Sequence, residues 1–192
     1  MSTWQEIADG GRLLHVPQFF DTAAADHLFD WLRDHVPWEQ LAVRGRPFPR
    51  MNAWYADPGL RWSYSGVTHR GEGWHPRLEV LRQELEVATG LRFNSLLLNR
   101  YRHGQDSIGY HADAEPELGR NPAVATLSLG ETRRFLLRHP ASGERRTYEL
   151  GHGSLFLMAG STQHHWLHAL PKTEVPVGER ISLTFRFLFP TD

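Results

Sequence analysis

The 192-residue chain has no cysteine, which removes disulfides, thiolate metal sites and thiol nucleophiles from consideration. It has no apolar run long enough to cross a bilayer as a helix, so no membrane partner is expected. Met1 to Gly11 carries Glu6 and Asp9 where a leader would have an apolar core, and export is not expected. Together these absences point to a cytoplasmic protein. Internal repeats of twenty to fifty residues, low-complexity tracts and linkers are also missing. The simplest organisation is a single domain, 1–192, acting as a monomer. A strong charge of one sign is absent as well, since the net charge is −1. That total hides an asymmetry: residues 1–40 hold seven acids and two bases, a net of −5, which leaves +4 for the rest. A nucleic-acid partner would therefore meet the later part of the chain, through local patches rather than a global basic field.

The chain does contain clear helix and strand signals. A first helix is predicted from the N-cap Asp21 to about His35, with Ala24, Leu28, Trp31 and Leu32 as its apolar stripe and Pro37 just beyond. A second starts at Pro76 and ends before Gly90, carried by Leu78, Leu81, Leu85 and Ala88. After Gly90 the pattern changes to strands: Phe93–Tyr101, Ala123–Leu129, Arg134–Arg138, Arg146–Leu150, Ser154–Met158 and Ile181–Phe189. Helices first and many short strands afterwards imply an α+β layout, with helices bracing a β-sandwich or barrel.

His111-Ala112-Asp113 is the first triplet that carries chemistry. In extended backbone, residues i and i+2 share a face, so an imidazole and a carboxylate can reach one ion. Two nitrogens and one carboxylate on one face of an octahedron leave the other face open, the arrangement of non-haem Fe(II) oxygenases. A third ligand must come from later. His164, His165 and His168 crowd one segment, and spacing alone does not choose among them. A polar strand end with satisfied imidazoles explains such a cluster equally well.

The stretch from Arg180 to Phe187 alternates fully. Arg180, Ser182, Thr184 and Arg186 face one way, and Ile181, Leu183, Phe185 and Phe187 the other. Its polar face carries no acid. Turned into a barrel, two guanidinium groups would require a dianionic guest, and arginine suits carboxylates because it grips them at two points. Asn99 and Tyr101 form another i, i+2 pair, offering an amide and a phenol. A strand-end turn and a core aromatic explain that pair as well.

Taken together, these segments resemble the AlkB family of Fe(II)/2-oxoglutarate nucleic-acid demethylases. The resemblance runs from Leu41 to Pro190 through Asn99-Arg100-Tyr101, His111-x-Asp113, Trp166-Leu167-His168-Ala169-Leu170-Pro171 and Arg180-x-x-Leu183-Thr184-Phe185-Arg186. It looks closest to the subgroup that repairs methylated bases in duplex DNA. The resemblance implies a double-stranded β-helix, or jelly roll, at about 91–190, with a nucleotide-recognition lid at about 40–70. It implies that His168 joins His111 and Asp113 on Fe(II). Arg180 and Arg186 would clamp 2-oxoglutarate, assisted by Asn99, Tyr101 and Thr184, with O2 as the second co-substrate. The implied reaction removes N-methyl groups of the 1-methyladenine or 3-methylcytosine type from DNA and releases formaldehyde, succinate and carbon dioxide.

On this resemblance Trp62, Tyr64, His111 and Glu115 are the candidates for holding the base. Ala114 stands where relatives often carry a second acid. Val43 is a candidate wedge, and Arg44, Arg46 and Arg50 are candidates for phosphate contact around a turn at Gly45. Arg133, Arg134, Arg138, Arg145 and Arg146 form a second basic set. The same iron chemistry on RNA, a protein or a small molecule is the nearest alternative. A non-catalytic jelly roll and a zinc hydrolase are the others, and the hydrolase leaves the two strand arginines unexplained.

Overall fold

Asp21 caps the first helix, its Oδ1 accepting from the Ala24 amide at 2.8 Å, and the helix runs Thr22–His35 in the computed structural model. The second helix runs Pro76–Thr89 and stops at Gly90, whose φ of 70° suits a residue without a Cβ. Residues 3–64 and 66–190 are described; the ends of the expected 1–192 domain and residue 65 of the expected lid lie outside the described residues. In the first helix Ala25, not Ala24, is buried with Leu28 and Leu32, and in the second Ala88 is exposed.

Both helices lie against one face of a seven-stranded antiparallel sheet. Its order is Gln5–Ile7, Gly11–Val16, Ser154–Gly160, Val124–Gly130, Arg180–Arg186, Ser95–Tyr101 and Met51–Ala56. Leu28, Leu32, Leu78, Leu81 and Leu85 pack there against Leu96, Leu98, Leu127, Leu183 and Phe185. Each fully buried leucine or phenylalanine contributes roughly 1.5–3 kcal/mol, so this layer anchors the sheet. A four-stranded sheet, Arg145–Leu150, Arg133–Arg138, Leu167–Leu170 and Ile108–His111, supplies the opposite wall. Phe135, Leu137, Phe156, Met158 and Trp166 form a second cluster of buried residues that draws on both sheets. Two antiparallel sheets with a cavity between them make the jelly roll.

Strands precede the first helix, whereas the expected order placed helices first. Gln5–Ile7 and Gly11–Val16 extend the larger sheet by pairing on Ser154–Gly160. Met51–Ala56, within the expected lid, is the other edge of the same sheet, so the sheet reaches beyond 91–190. The rest of that stretch forms two hairpins, Ala42–Val43 with Arg46–Pro47 and Arg61–Tyr64 with Val67–Arg70. The last strand ends at Arg186 instead of Phe189, because the Asn94 side chain takes over the Leu188 amide and carbonyl.

Candidate active site

His111 and His168 are direct cross-strand partners in the smaller sheet, with ring centroids 4.2 Å apart. Asp113 lies just past the end of the His111 strand. Its Oδ1 is 3.9 Å from His111 Nε2 and its Oδ2 3.9 Å from His168 Nε2. One ligand atom from each of the three falls within 4.8 Å of the others. The surroundings fix their chemical states. His111 Nδ1 lies 2.9 Å from the Gly109 carbonyl; a carbonyl only accepts, so Nδ1 carries the proton and Nε2 keeps its lone pair. The Asp113 amide donates to Gln163 Oε1 at 2.9 Å, which pins the turn. Burial alone would raise the Asp113 pKa, but Arg186, followed by His168 and His111, overrides it and holds the carboxylate at about 2. Burial, reinforced by His111, takes His168 down to about 3, so its imidazole is neutral at physiological pH.

Beside these three side chains the polar face of the Arg180–Arg186 strand points into the cavity. Register explains the grouping: Arg180 is paired with Tyr101 and Ser182 with Asn99 on one neighbour, and Ser182 with Ser128 and Thr184 with Thr126 on the other. Arg180 is 2% exposed, lies over the Tyr101 ring and donates from Nη2 to Ser128 Oγ at 2.8 Å. Burial takes its pKa down to about 10, which leaves it charged at neutral pH. Its Nε has no partner and no carboxylate pairs with it among the described residues. Arg186 lies over the Trp62 ring and binds Asp113 through Nε and Nη2.

A cavity between the two sheets, open to solvent at one side, is lined by His111, Asp113, His168, Asn99, Tyr101, Thr184, Arg180, Arg186 and Tyr64, among others.

The expected roles of Trp62, Arg50, Arg133 and Glu115 do not survive the geometry. Trp62 is 0% exposed, stacked between Trp54 at 5.0 Å and Tyr64 at 4.8 Å, so its faces are covered by protein and it supports Arg186 instead of meeting a base. Arg50 is 4% exposed, with its donors on Asn99, Tyr64 and Ser107, so it has no phosphate-facing group. Arg133 is likewise buried, donating to four backbone carbonyls. Glu115 does not line the cavity; it is half-buried with Oε2 bare, and burial, with help from Asp113, raises its pKa. Val43, Arg44 and Arg46 sit on the short hairpin, where Arg44 and Gly45 both have positive φ, 51° and 75°. Both arginines are exposed.

Thr126, which lines the cavity, and two residues that hold the site from behind it, Ser128 on Arg180 and Gln163 on the Asp113 amide, were not among the sequence candidates. Thr126 and Ser128 are the polar members of an otherwise apolar alternation in Val124–Gly130, a signal present in the sequence. Gln163 had none. His164 bonds the Arg120 carbonyl, and His165 stacks beside His139, away from the three ligands.

Comparison with known proteins agrees with this geometry. The 2OG-Fe(II) oxygenase superfamily model matches residues 12–186. Alpha-ketoglutarate-dependent dioxygenase alkB homolog 3 of Bos taurus is 40% identical, over 93% of this chain and 67% of that protein. DNA oxidative demethylase ALKBH2 of Mus musculus is 36% identical, over 98% of this chain and 85% of that protein. The chain belongs to the AlkB family. The solved structure of OsALKBH1, 14% identical, matches the fold with a TM-score of 0.66 over 96% of this chain and 100% of that one.

The residues present fit the two groups that the AlkB family requires. Asp113 Oδ1 is buried without a hydrogen-bond partner and faces two imidazoles, which suits a divalent cation. Arg180 is a buried cation without a counter-charge, which suits a carboxylate of 2-oxoglutarate. His111, Asp113 and His168 would hold Fe(II), and Arg180, Arg186, Asn99, Tyr101 and Thr184, which line the same cavity, would hold the co-substrate. The chain is an Fe(II)/2-oxoglutarate-dependent dioxygenase.

Proposed function

We propose that this dioxygenase removes methyl groups from ring nitrogens of damaged bases in DNA, of the 1-methyladenine and 3-methylcytosine type. The observation that carries the reading is Tyr64. Its ring, on the hairpin Arg61–Tyr64, borders the same cavity as His111, Asp113 and His168. An aromatic wall facing the metal ligands suits a flat, unstacked base. Kinship with a protein named DNA oxidative demethylase supports the choice of polymer.

When bound, Fe(II) with O2 and 2-oxoglutarate supplies the oxidation, in which the co-substrate becomes succinate and carbon dioxide and the methyl group is hydroxylated. The hydroxymethyl group then leaves the ring nitrogen as formaldehyde. The chain's own residues orient the partners. His111 keeps one tautomer, Arg186 holds Asp113 ionised, and Arg180 and Asn99 present donors to the co-substrate. Tyr64 and His111 would border the base. The exposed hairpin with Val43, Arg44 and Arg46 would meet the duplex.

The test is incubation with Fe(II), 2-oxoglutarate and an oligonucleotide bearing 3-methylcytosine, with methyl loss read by mass spectrometry. Single-stranded DNA, duplex DNA, RNA and free nucleosides are compared. Methyl loss from DNA that is abolished in His111→Ala supports the reading. Turnover of 2-oxoglutarate without methyl loss from DNA would remove it and leave RNA, a protein or a small molecule as substrate.

A further inference from the structure

Arginine only donates hydrogen bonds, which settles the orientation of the amide beside Arg50. The Asn99 atom 3.0 Å from Arg50 Nε must be the oxygen Oδ1. Asn52 Nδ2 donates to that same oxygen at 2.7 Å. With Oδ1 saturated by two donors from the Met51–Ala56 side, the Asn99 NH2 group is left for the cavity that Asn99 lines. It has no acceptor there among the described residues. A donor held open to the cavity on a residue only 5% exposed is set for an incoming anion.

The same guanidinium continues past Asn99. Arg50 Nη2 lies 3.4 Å from the Tyr64 hydroxyl, Nη1 donates to the Ser107 carbonyl at 3.3 Å, and the Phe48 ring covers the group at 4.8 Å. Arg50 therefore joins a wall of the substrate side, Tyr64, to a wall of the co-substrate side, Asn99, although the two residues lie 35 positions apart. Without Arg50, Asn99 would keep only the Asn52 bond and its amide would be free to swing.

We propose that Arg50 is a positioning residue: it aims the Asn99 amide at a carboxylate of 2-oxoglutarate and ties that amide to Tyr64, without itself touching either substrate. The proposal rests on the co-substrate assignment above.

The test is calorimetric titration of 2-oxoglutarate into protein loaded with Mn(II), a stand-in that needs no turnover, in the absence of nucleic acid. Arg50→Met is expected to raise the Kd for 2-oxoglutarate about tenfold, the loss of one oriented bond to a charged group. Its Mn(II) affinity should stay within about twofold of wild type. Asn99→Asp keeps the bond to Arg50, and so keeps the fold, but turns an anionic oxygen toward the cavity; its 2-oxoglutarate binding should fall about a hundredfold. This variant tests the amide orientation even where Arg50→Met does not fold. Tyr64→Phe should raise the Kd about twofold with Arg50 present and leave it unchanged in Arg50→Met. Binding within twofold of wild type in both Arg50→Met and Asn99→Asp would overturn the proposal, as would equal losses of Mn(II) and 2-oxoglutarate affinity in Arg50→Met. Failure of the wild-type protein to bind 2-oxoglutarate would overturn the co-substrate assignment itself, and the role of Arg50 with it.

Discussion

Arg186 places both of its bonds to Asp113 on one oxygen, Nε at 3.2 Å and Nη2 at 2.9 Å from Oδ2. Oδ1 is left without a partner. The guanidinium thus ionises the carboxylate and fixes its rotation while leaving one oxygen for a cation. Trp62 lies under Arg186 and extends this arrangement into the hairpin stack. On the proposed assignment Arg186 serves both the metal and the co-substrate, so disturbing one should be felt in the other.

Asp113→Asn tests the shared ion pair. Arg186 and Asp113 are both buried, and removing one partner of such a pair typically costs about 3–5 kcal/mol. We expect the metal-free variant to unfold at lower urea concentration than wild type by roughly that free energy, and to bind no Fe(II). An unchanged midpoint would show that the pair contributes nothing to the fold.

Acid sensitivity of the metal-free protein follows from two depressed values. His168 stands at about 3 when folded against 6.5 when unfolded, so the unfolded chain takes up a proton that the folded chain refuses. Stability should therefore fall as pH drops below 6.5, with the loss growing down to about 3. Asp113, at about 2 against 3.8, adds stability above 3.8 that is lost as pH falls towards 2. Melting temperature against pH, measured with chelator present, should show the upper slope in wild type and a flatter one in His168→Gln. Equal slopes would exclude His168 as its source.

Arg180 shows what the sequence revealed and what it hid. Its alternation with Ser182, Thr184 and Arg186, free of acids, was visible locally because strand periodicity depends on neighbours two residues apart. His111 and Asp113 were visible for the same reason, whereas the choice of His168 over His164 and His165 required the wider resemblance. Arg50 was misplaced because its partner is distant in sequence, Asn99 being 49 positions on, and Trp62 because its second face is covered only when the neighbouring strand brings Trp54 onto it. An arginine near a turn reads as solvated until the chain that buries it is known. The N-terminal strands were missed because three-residue Gln5–Ile7 and the short Gly11–Val16 carry too little alternation to register.

Arg180→Met should separate stability from function. The guanidinium is buried without a carboxylate, and replacing such a charge by an apolar chain of similar length is often neutral or stabilising. Without 2-oxoglutarate we expect the variant to melt no lower than wild type. With it, the thermal shift seen in wild type should vanish, and the KM for 2-oxoglutarate should rise by about one to two orders of magnitude. A melting point well below wild type would mean that Ser128 and Tyr101 already satisfy this arginine.

The hairpin Ala42–Pro47 gives the last prediction, because its two arginines are exposed while Arg50 is not. Each exposed arginine that neutralises a phosphate releases counterions, which steepens the fall of affinity with salt by about one unit of log–log slope. Arg44→Ala and Arg46→Ala should each weaken duplex binding and reduce that slope, while Fe(II) loading and 2-oxoglutarate affinity stay at wild-type values. Gly45→Val should act differently: its φ of 75° is strained for a branched residue, so the turn opens and both arginines lose their placement at once. Fluorescence anisotropy of a labelled duplex at several salt concentrations measures all three. If the slope is the same in every variant, the hairpin does not touch the phosphates.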